Sequence, residues 1–173
     1  MKYRATVSDE KQMLALGSCL GRGLTPGNII YLEGDLGSGK TTFARGILEG
    51  LDCPDWIVSP TYTLVEEYQV PLCKVYHLDL YRLGDPEEVE GMGIRDWQDG
   101  QSILLIEWPE NGFGKLPHPR YRPDSDAGTG GGPFCTKASG WSGFRLMIYM
   151  TSTAKGKFFK RCLKRPLRQY WLI

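Results

Sequence analysis

Apolar residues recur at helical spacing near the start of the chain. Met13, Leu16 and Leu20 lie three and four positions apart, and Asp9 stands just before them. Gln12 follows Asp9 by three positions, as in a capping box, where the cap side chain accepts a hydrogen bond from the helix backbone. The pattern predicts a helix over about residues 9–20.

The segments that follow alternate between strand-like and helix-like patterns. Residues 29–32 form a short apolar run, which predicts a strand over 28–32, and residues 40–50 have the spacing of a helix. Residues 65–70 alternate in polarity and residues 74–80 are largely apolar, so the short link between them predicts a hairpin.

Later segments add a helix and further strands. Asp85 and Pro86 are typical of an N-cap and a first helical residue, which predicts a short acidic helix from 85 to about 92. Residues 103–106 are continuously apolar, as in a buried parallel strand, and residues 144–149 offer one more strand. This order predicts an α/β protein with a central mixed, largely parallel sheet and helices on both faces.

A complete G-x-x-x-x-G-K-[ST] loop spans residues 34–41, between the first of these strands and the next helix. Its glycines let backbone N–H groups converge, and the helix N-terminus adds partial positive charge, so the motif predicts a phosphate-binding P-loop. Together with the order of strands and helices, it predicts a P-loop NTPase-like three-layer fold. Lys40 is expected to neutralise the β- and γ-phosphates, Thr41 to ligate Mg²⁺, and Thr42 to bind an outer phosphate oxygen. The other predicted nucleotide-binding residues belong to the loop itself: Asp35, Leu36, Gly37, Ser38 and Gly39.

Two carboxylates follow apolar strands, where a P-loop enzyme needs an acid near Mg²⁺. Glu107 directly follows residues 103–106 and is interpreted as this acid; otherwise it is only the first polar residue after a core strand. Asp79 either positions a water or Mg²⁺ or is a strand-end turn carboxylate. His77 taken alone is more typical of a buried strand histidine than of a catalytic group. The predicted catalytic residues are Lys40, Asp79 and Glu107, and the predicted metal ligands are Thr41 and Glu107.

Charge is divided unevenly along the chain. The 173 residues are 41% hydrophobic, enough for one globular domain with a core. Residues 1–119 carry 10 Lys and Arg against 18 Asp and Glu, whereas residues 120–173 carry 11 against 2. The basic end could be an RNA-binding arm, which makes a non-enzymatic RNA-binding protein one alternative function. The five cysteines form no C-x-x-C pair, and no signal-like leader or long apolar run occurs, so we expect a cytoplasmic protein with ordinary thiols and no membrane partner.

Four motifs accompany the P-loop in a fixed order. They are residues 59–64 (SPTYTL), 77–83 (HLDLYRL), 92–96 (MGIRD) and 105–110 (LIEWPE). Together with GDLGSGKTT at 34–42, they resemble the TsaE (formerly YjeE) family, the P-loop ATPase component of bacterial tRNA threonylcarbamoyladenosine synthesis. The resemblance extends from the N-terminal helix to about residue 117.

The resemblance implies roles for single residues and for the whole protein. Thr61 would sense the γ-phosphate or metal in a switch-I-like loop, Asp79 would be a switch-II-like acid, and Glu107 would be the Walker-B-type residue. Trp108 is similar to a family tryptophan beside the site; without the resemblance it would be interpreted as a core or rim aromatic. Arg82 would contact either a partner or phosphate, unless it forms only a surface ion pair. The family resemblance further implies weak ATP hydrolysis, with ATP and Mg²⁺ as cofactors, in an assembly with the TsaD and TsaB subunits. Contact with tRNA would be indirect.

The resemblance stops where the composition changes. Family members continue beyond this point with alternating strands, whereas residues 120–133 are rich in Gly, Pro, Asp and Ser. We therefore predict a P-loop ATPase domain over 1–119 and an atypical segment over 120–173, which is either disordered or the product of a reading-frame shift. In the frame-shift case the basic composition is accidental and the RNA-binding arm does not exist.

A small-molecule or nucleoside kinase is the alternative from another enzyme class. Such a kinase would share the P-loop and use Asp79 as the base for an acceptor hydroxyl. It would also need an acceptor pocket and usually an arginine-bearing lid, and no clear lid motif precedes residue 120.

Overall fold

The computed structural model describes residues 2–116, 134–139 and 145–151 of the chain. Its helices are α1 (Glu10–Gly21), α2 (Lys40–Gly50) and α3 (Glu88–Gly91), with 3-10 turns at Asp96–Gln98 and Pro109–Gly112. Its strands are β1 (Lys2–Thr6), β2 (Ile29–Gly34), β3 (Val65–Gln69), β4 (Lys74–Asp79), β5 (Ile103–Glu107), β6 (Phe134–Ser139) and β7 (Arg145–Thr151).

All of these strands form one mixed sheet in the order β1-β6-β7-β2-β5-β4-β3. The pairs β2–β5 and β4–β5 are parallel, with Leu32 opposite Glu107 and Glu107 opposite Asp79. The carboxyl ends of β2, β5 and β4 therefore lie side by side, and ligands bind at this edge in open α/β sheets.

Alternate residues of the central strands face two separate cores. Ile30, Leu32 and Leu105 pack in the core that contains Phe43 of α2 and Leu16 of α1. On the opposite face, Tyr31, Leu78, Leu104 and Ile106 pack with Val89 of α3. Helices thus cover both faces, which confirms the predicted three-layer α/β fold.

Local signals located most elements within a residue or two. Asp9 caps α1 as predicted, since its Oδ1 accepts the Gln12 N–H at 2.8 Å. Before α3, Asp85 Oδ1 accepts from the Glu87 N–H at 2.9 Å. Residues 85–88 form an i→i+3 turn, however, and the helix begins only at Glu88. The predicted acidic helix is therefore shorter than its sequence pattern indicated.

Two strands have no counterpart among the predicted elements. β1 and β6 pair in parallel, and β6 pairs antiparallel with β7. β7 in turn lies antiparallel to β2, with Ile148 opposite Leu32. The described part of the segment after residue 119 is therefore integrated in the sheet.

Several sequence predictions fall outside the described residues. These are the glycine-rich stretch at 120–133, where the frame shift would begin, and the basic tail after 151. Within the described part of the chain, no helix is long and apolar enough to cross a membrane. Cys53 and Cys73 are free, but Cys19 is disulfide-bonded, which corrects the expectation that every cysteine is an ordinary thiol.

Candidate nucleotide site at the carboxyl edge of the sheet

The P-loop connects the end of β2 with the first turn of α2. Gly37 and Gly39 adopt φ values of 80° and 89°, in the region that side chains other than glycine rarely enter. Gly39 is the N-cap of α2 and its carbonyl accepts the Phe43 N–H at 2.8 Å. The loop amides and the positive end of the helix dipole therefore lie together, which is the arrangement that binds phosphate.

Lys40 is held inside the loop. Its Nζ donates to the carbonyl oxygens of Gly34 and Asp35, at 2.6 and 2.9 Å, and lies 3.6 Å from the centroid of the Trp108 ring. The residue is only 5% exposed. Its ammonium group is thus positioned by the backbone and by a cation–π contact before any phosphate binds.

Burial lowers the pKa of Lys40, because desolvation disfavours the charged ammonium. Neighbouring carboxylates oppose the shift, in the order Glu107, Glu110, Asp79 and Asp35. The negative side chains around the P-loop therefore help to keep a buried lysine protonated.

Thr41 and Glu107 meet across the gap between α2 and β5. The Thr41 hydroxyl donates to Glu107 Oε2 at 3.0 Å. Glu107 is 1% exposed, and its other oxygen, Oε1, lies 2.9 Å from His77 Nε2 on β4. One buried carboxylate thereby joins the P-loop to the neighbouring strand.

Asp79 anchors the loop that precedes β3. The Thr61 hydroxyl donates to Asp79 Oδ2 at 2.8 Å, and Ser59 Oγ lies 2.8 Å from Thr61 Oγ1. The other oxygen, Oδ1, accepts the Tyr81 N–H at 3.0 Å. Asp79 is only 3% exposed. Thr61 and Asp79, to which the resemblance assigns separate roles, are therefore in direct contact at the same sheet edge as Glu107.

Trp108 has an unusual backbone conformation. Its φ and ψ are 56° and 50°, in the left-handed region that costs a bulky residue free energy. This conformation turns its ring over Lys40, and Tyr81 packs against the same ring at a centroid distance of 5.0 Å. The strained residue thus forms one wall of the P-loop.

The remaining predicted site residues are less tightly grouped. Asp35, Leu36 and Gly37 are exposed at the tip of the loop, whereas Ser38 is buried and its Oγ lies 3.5 Å from Lys40 Nζ. Thr42 is half-buried in the first turn of α2. Arg82 stacks over the Tyr62 ring at 4.4 Å, a contact that spacing did not suggest.

The sequence pattern favours a buried strand histidine at His77, and the side chain is fully buried. No local pattern indicates its contact with Glu107, which is 30 residues away. The available signal was the two-residue spacing of His77 and Asp79 on a strand, which places both on one face.

The oxygen atoms near the P-loop suit Mg²⁺. Mg²⁺ is usually bound by one or two protein oxygens together with phosphates and water. The Thr41 hydroxyl and the Glu107 carboxylate provide oxygen ligands of this kind. Among the described residues, no group of three or more His, Cys, Asp or Glu side chains could hold a metal by itself. The Thr41 and Glu107 oxygens therefore fit the protein's share of a Mg²⁺ coordination shell.

Comparisons with known proteins converge on one family. The model of the TsaE family, described as threonylcarbamoyl adenosine biosynthesis protein TsaE, matches residues 7–127. The chain is 58% identical over 89 residues to the tRNA threonylcarbamoyladenosine biosynthesis protein TsaE of Haemophilus influenzae, covering 51% of this chain and 56% of the relative. It is 37% identical over 121 residues to the protein of the same name from Bacillus subtilis, covering 69% and 73%.

A solved structure has the same fold. The crystal structure of Bacillus subtilis YdiB matches with a TM-score of 0.60 and 24% identity, covering 90% of this chain and 87% of that one. The sequence matches are shorter than the structural one. The matched part of the chain spans 56% of the Haemophilus relative. It spans 66% of a Nostoc relative, to which it is 45% identical over 60% of this chain.

Proposed function

Because this chain belongs to the TsaE family, we propose that it binds ATP and hydrolyses it weakly as an accessory protein for threonylcarbamoyladenosine modification of tRNA. The names of its relatives connect them with that modification pathway. The observation that supports the chemistry best is the 3.0 Å hydrogen bond between Thr41 Oγ1 and Glu107 Oε2. It brings the P-loop hydroxyl to the one carboxylate that ends β5, next to Lys40.

In this proposal the protein contributes mainly position and charge. Lys40 neutralises the β- and γ-phosphate oxygens, and the loop amides with the N-terminus of α2 hold the phosphates in line. Trp108 covers Lys40 and limits its contact with water. The reaction is attack of a water on the γ-phosphate, which yields ADP and inorganic phosphate.

Glu107 and Asp79, the two acidic side chains of the site, have different roles in this proposal. Thr41 and Glu107 would hold Mg²⁺, directly or through water, and the ion would supply charge neutralisation between the phosphates. Asp79 orients the attacking water, and Thr61 couples the occupancy of the γ-phosphate position to the 59–64 loop through its hydrogen bond to Asp79. Nucleotide state is thereby transmitted to a loop at the protein surface.

We propose further that the protein acts on a complex of the TsaD and TsaB subunits in the cytoplasm, with tRNA contacted only indirectly. The 59–64 loop is the part of the site best placed to meet another protein, since Tyr62 is 82% exposed there. Its link to Asp79 would make subunit contact sensitive to the nucleotide.

The deciding experiment measures Mg²⁺-dependent ATP hydrolysis by the full chain, alone and with the TsaD–TsaB pair. We expect slow hydrolysis alone, stimulation by the pair, and loss of both in Lys40→Ala. Leu72→Ala, at an exposed position in the β3–β4 hairpin, is the matched control and should retain both activities.

Two results would contradict the proposal. A folded chain that neither hydrolyses ATP nor responds to the pair has another function. Transfer of the phosphoryl group to a small-molecule hydroxyl in preference to water would instead identify a kinase.

A further inference from the structure

His77 is a fully buried polar side chain that the mechanism above does not use. Its Nε2 lies 2.9 Å from Glu107 Oε1, and its Nδ1 has no hydrogen-bond partner among the described residues. An apolar residue would fill this space without leaving a buried nitrogen unpaired, which costs free energy. Packing alone therefore does not account for a histidine here, and the contact with Glu107 is what the imidazole adds.

The direction of this hydrogen bond follows from its acceptor. An ionised carboxylate only accepts, so Nε2 donates, and the neutral tautomer protonated at Nε2 leaves a lone pair on Nδ1. The same carboxylate accepts the Thr41 hydroxyl at 3.0 Å through Oε2. Because Glu107 is 1% exposed, water has little access to replace either donor.

The strand register fixes where the donor stands. In the parallel β4–β5 pair, His77 is opposite Leu105 and Asp79 is opposite Glu107, so His77 and Glu107 share one face of the sheet two positions apart. The terminal torsion of a glutamate is broad, and its carboxylate plane turns easily unless a donor holds it. A rigid ring on the neighbouring central strand is such a donor.

We propose that His77 is a positioning residue that holds the Glu107 carboxylate in the plane required to receive the Mg²⁺ of a bound nucleotide. This role rests on the proposed function of the site. His77 touches neither phosphate nor metal in this role, and acts through the orientation of Oε2 toward Thr41. Partners in this position commonly change metal affinity 10- to 100-fold when they are removed.

The test separates metal-linked binding from folding. Calorimetry measures ADP affinity with and without Mg²⁺ for the full-length wild type, His77→Leu and His77→Gln, and the ratio of the two affinities is the Mg²⁺-linked gain. We expect His77→Leu to reduce this gain about 10-fold and to leave metal-free ADP binding unchanged. His77→Gln places an amide N–H near the position of Nε2 and should restore most of the gain.

Val75→Ala is the matched structural control. Val75 is also fully buried on the same face of β4, but it lies opposite Ile103, away from Glu107. This variant should lower the Tm and keep the Mg²⁺-linked gain. If His77→Leu does not fold, His77→Asn takes its place, since its shorter amide cannot reach Glu107.

The outcomes are distinct. An unchanged gain in His77→Leu or His77→Asn, or a gain that His77→Gln fails to restore in a folded protein, overturns the positioning role alone. A wild type with no Mg²⁺-linked gain overturns the proposed function and the positioning role with it.

Discussion

At the scale of single residues, Glu107 is held from two sides. Thr41 donates to one of its oxygens and His77 to the other, both at hydrogen-bonding distance, and the Glu107 carboxylate itself is buried. Lys40 is fixed nearby by two backbone carbonyls and the Trp108 ring. Each of these side chains therefore has a restricted orientation, which is what a site that works by positioning requires.

Replacing Thr41 with valine removes the hydroxyl and keeps the shape. We expect Thr41→Val to lower kcat for Mg²⁺-dependent ATP hydrolysis at least about 10-fold, because Glu107 loses one of its two donors and the proposed Mg²⁺ ion loses a ligand. Thr41→Ser keeps the oxygen and should stay close to wild type. Steady-state kinetics at several Mg²⁺ concentrations check this, and a loss in Thr41→Ser without one in Thr41→Val would show that the methyl group matters instead of the hydroxyl.

The lowered pKa of Lys40 predicts how stability depends on pH. Between its lowered value in the folded protein and the ordinary 10.5, the unfolded chain holds more protons at this group. The contribution of Lys40 to the free energy of unfolding therefore rises with pH in this window.

Urea unfolding of wild type and Lys40→Met measures this contribution, since other alkaline groups cancel in the difference. The wild type should gain stability relative to Lys40→Met as the pH is raised from about 8 to about 10. A constant difference would mean that the carboxylates around Lys40 fully offset its burial.

At the scale of elements, α1 and α2 cross with their backbones in close contact. Each helix carries two glycines four residues apart, Gly17 and Gly21 in α1 and Gly46 and Gly50 in α2. A Cβ added at any of the four would overlap a carbonyl oxygen of the other helix. These four glycines form a seam in which α2, with the P-loop at its N-terminus, packs directly against the backbone of α1.

A methyl group in the seam should separate the two helices. We expect Gly46→Ala to lose at least about 2 kcal/mol of unfolding free energy, because the obstructing atoms belong to the backbone at Leu14 and cannot rotate away. Urea unfolding measures the loss. Gly91→Ala in α3 is the control, since a Cβ there meets nothing within 4 Å and alanine favours the helix by up to about 1 kcal/mol. Equal effects at both positions would contradict a packed seam.

At the scale of the whole molecule, β2 lies at the centre of the sheet between β7 and β5. Its P-loop is consequently flanked by the ends of β5 and β4, which bring Glu107 and Asp79. On its other side, β2 pairs with a strand from the atypical part of the sequence. The proposed domain boundary at residue 119 and the proposed frame shift both concern this pairing, and sequencing of the source DNA tests the frame shift directly.

Ile148 tests whether this strand supports the domain. It is fully buried in the same core as Leu32 and Phe43. If β7 belongs to the cooperative unit, Ile148→Ala should cost about 3 kcal/mol. Leu72→Ala, at an exposed position, should change stability by less than about 0.5 kcal/mol. Urea unfolding that is unaffected by Ile148→Ala would instead place the stable domain within residues 1–119.

The sequence by itself determined the features that depend on neighbours along the chain. The P-loop, the Asp9 cap, the β3–β4 hairpin and the run that forms β5 are each encoded by contiguous residues, and the structure has all of them. The family could be identified for the same reason, because its motifs are short and ordered. The sequence pattern also predicts Glu107 and Asp79 as acids that follow apolar strands, and both lie at the ends of neighbouring strands.

Only the tertiary structure decided which distant residues meet. The contact of His77 with Glu107 depends on the register of two strands, the turn of Trp108 over Lys40 depends on a left-handed backbone, and the glycine seam depends on how two helices cross. The positions of β1, β6 and β7 likewise depend on pairing across the sheet, and not on a local pattern. Such contacts are selected by the packing free energy of the whole fold, which no stretch of sequence specifies alone.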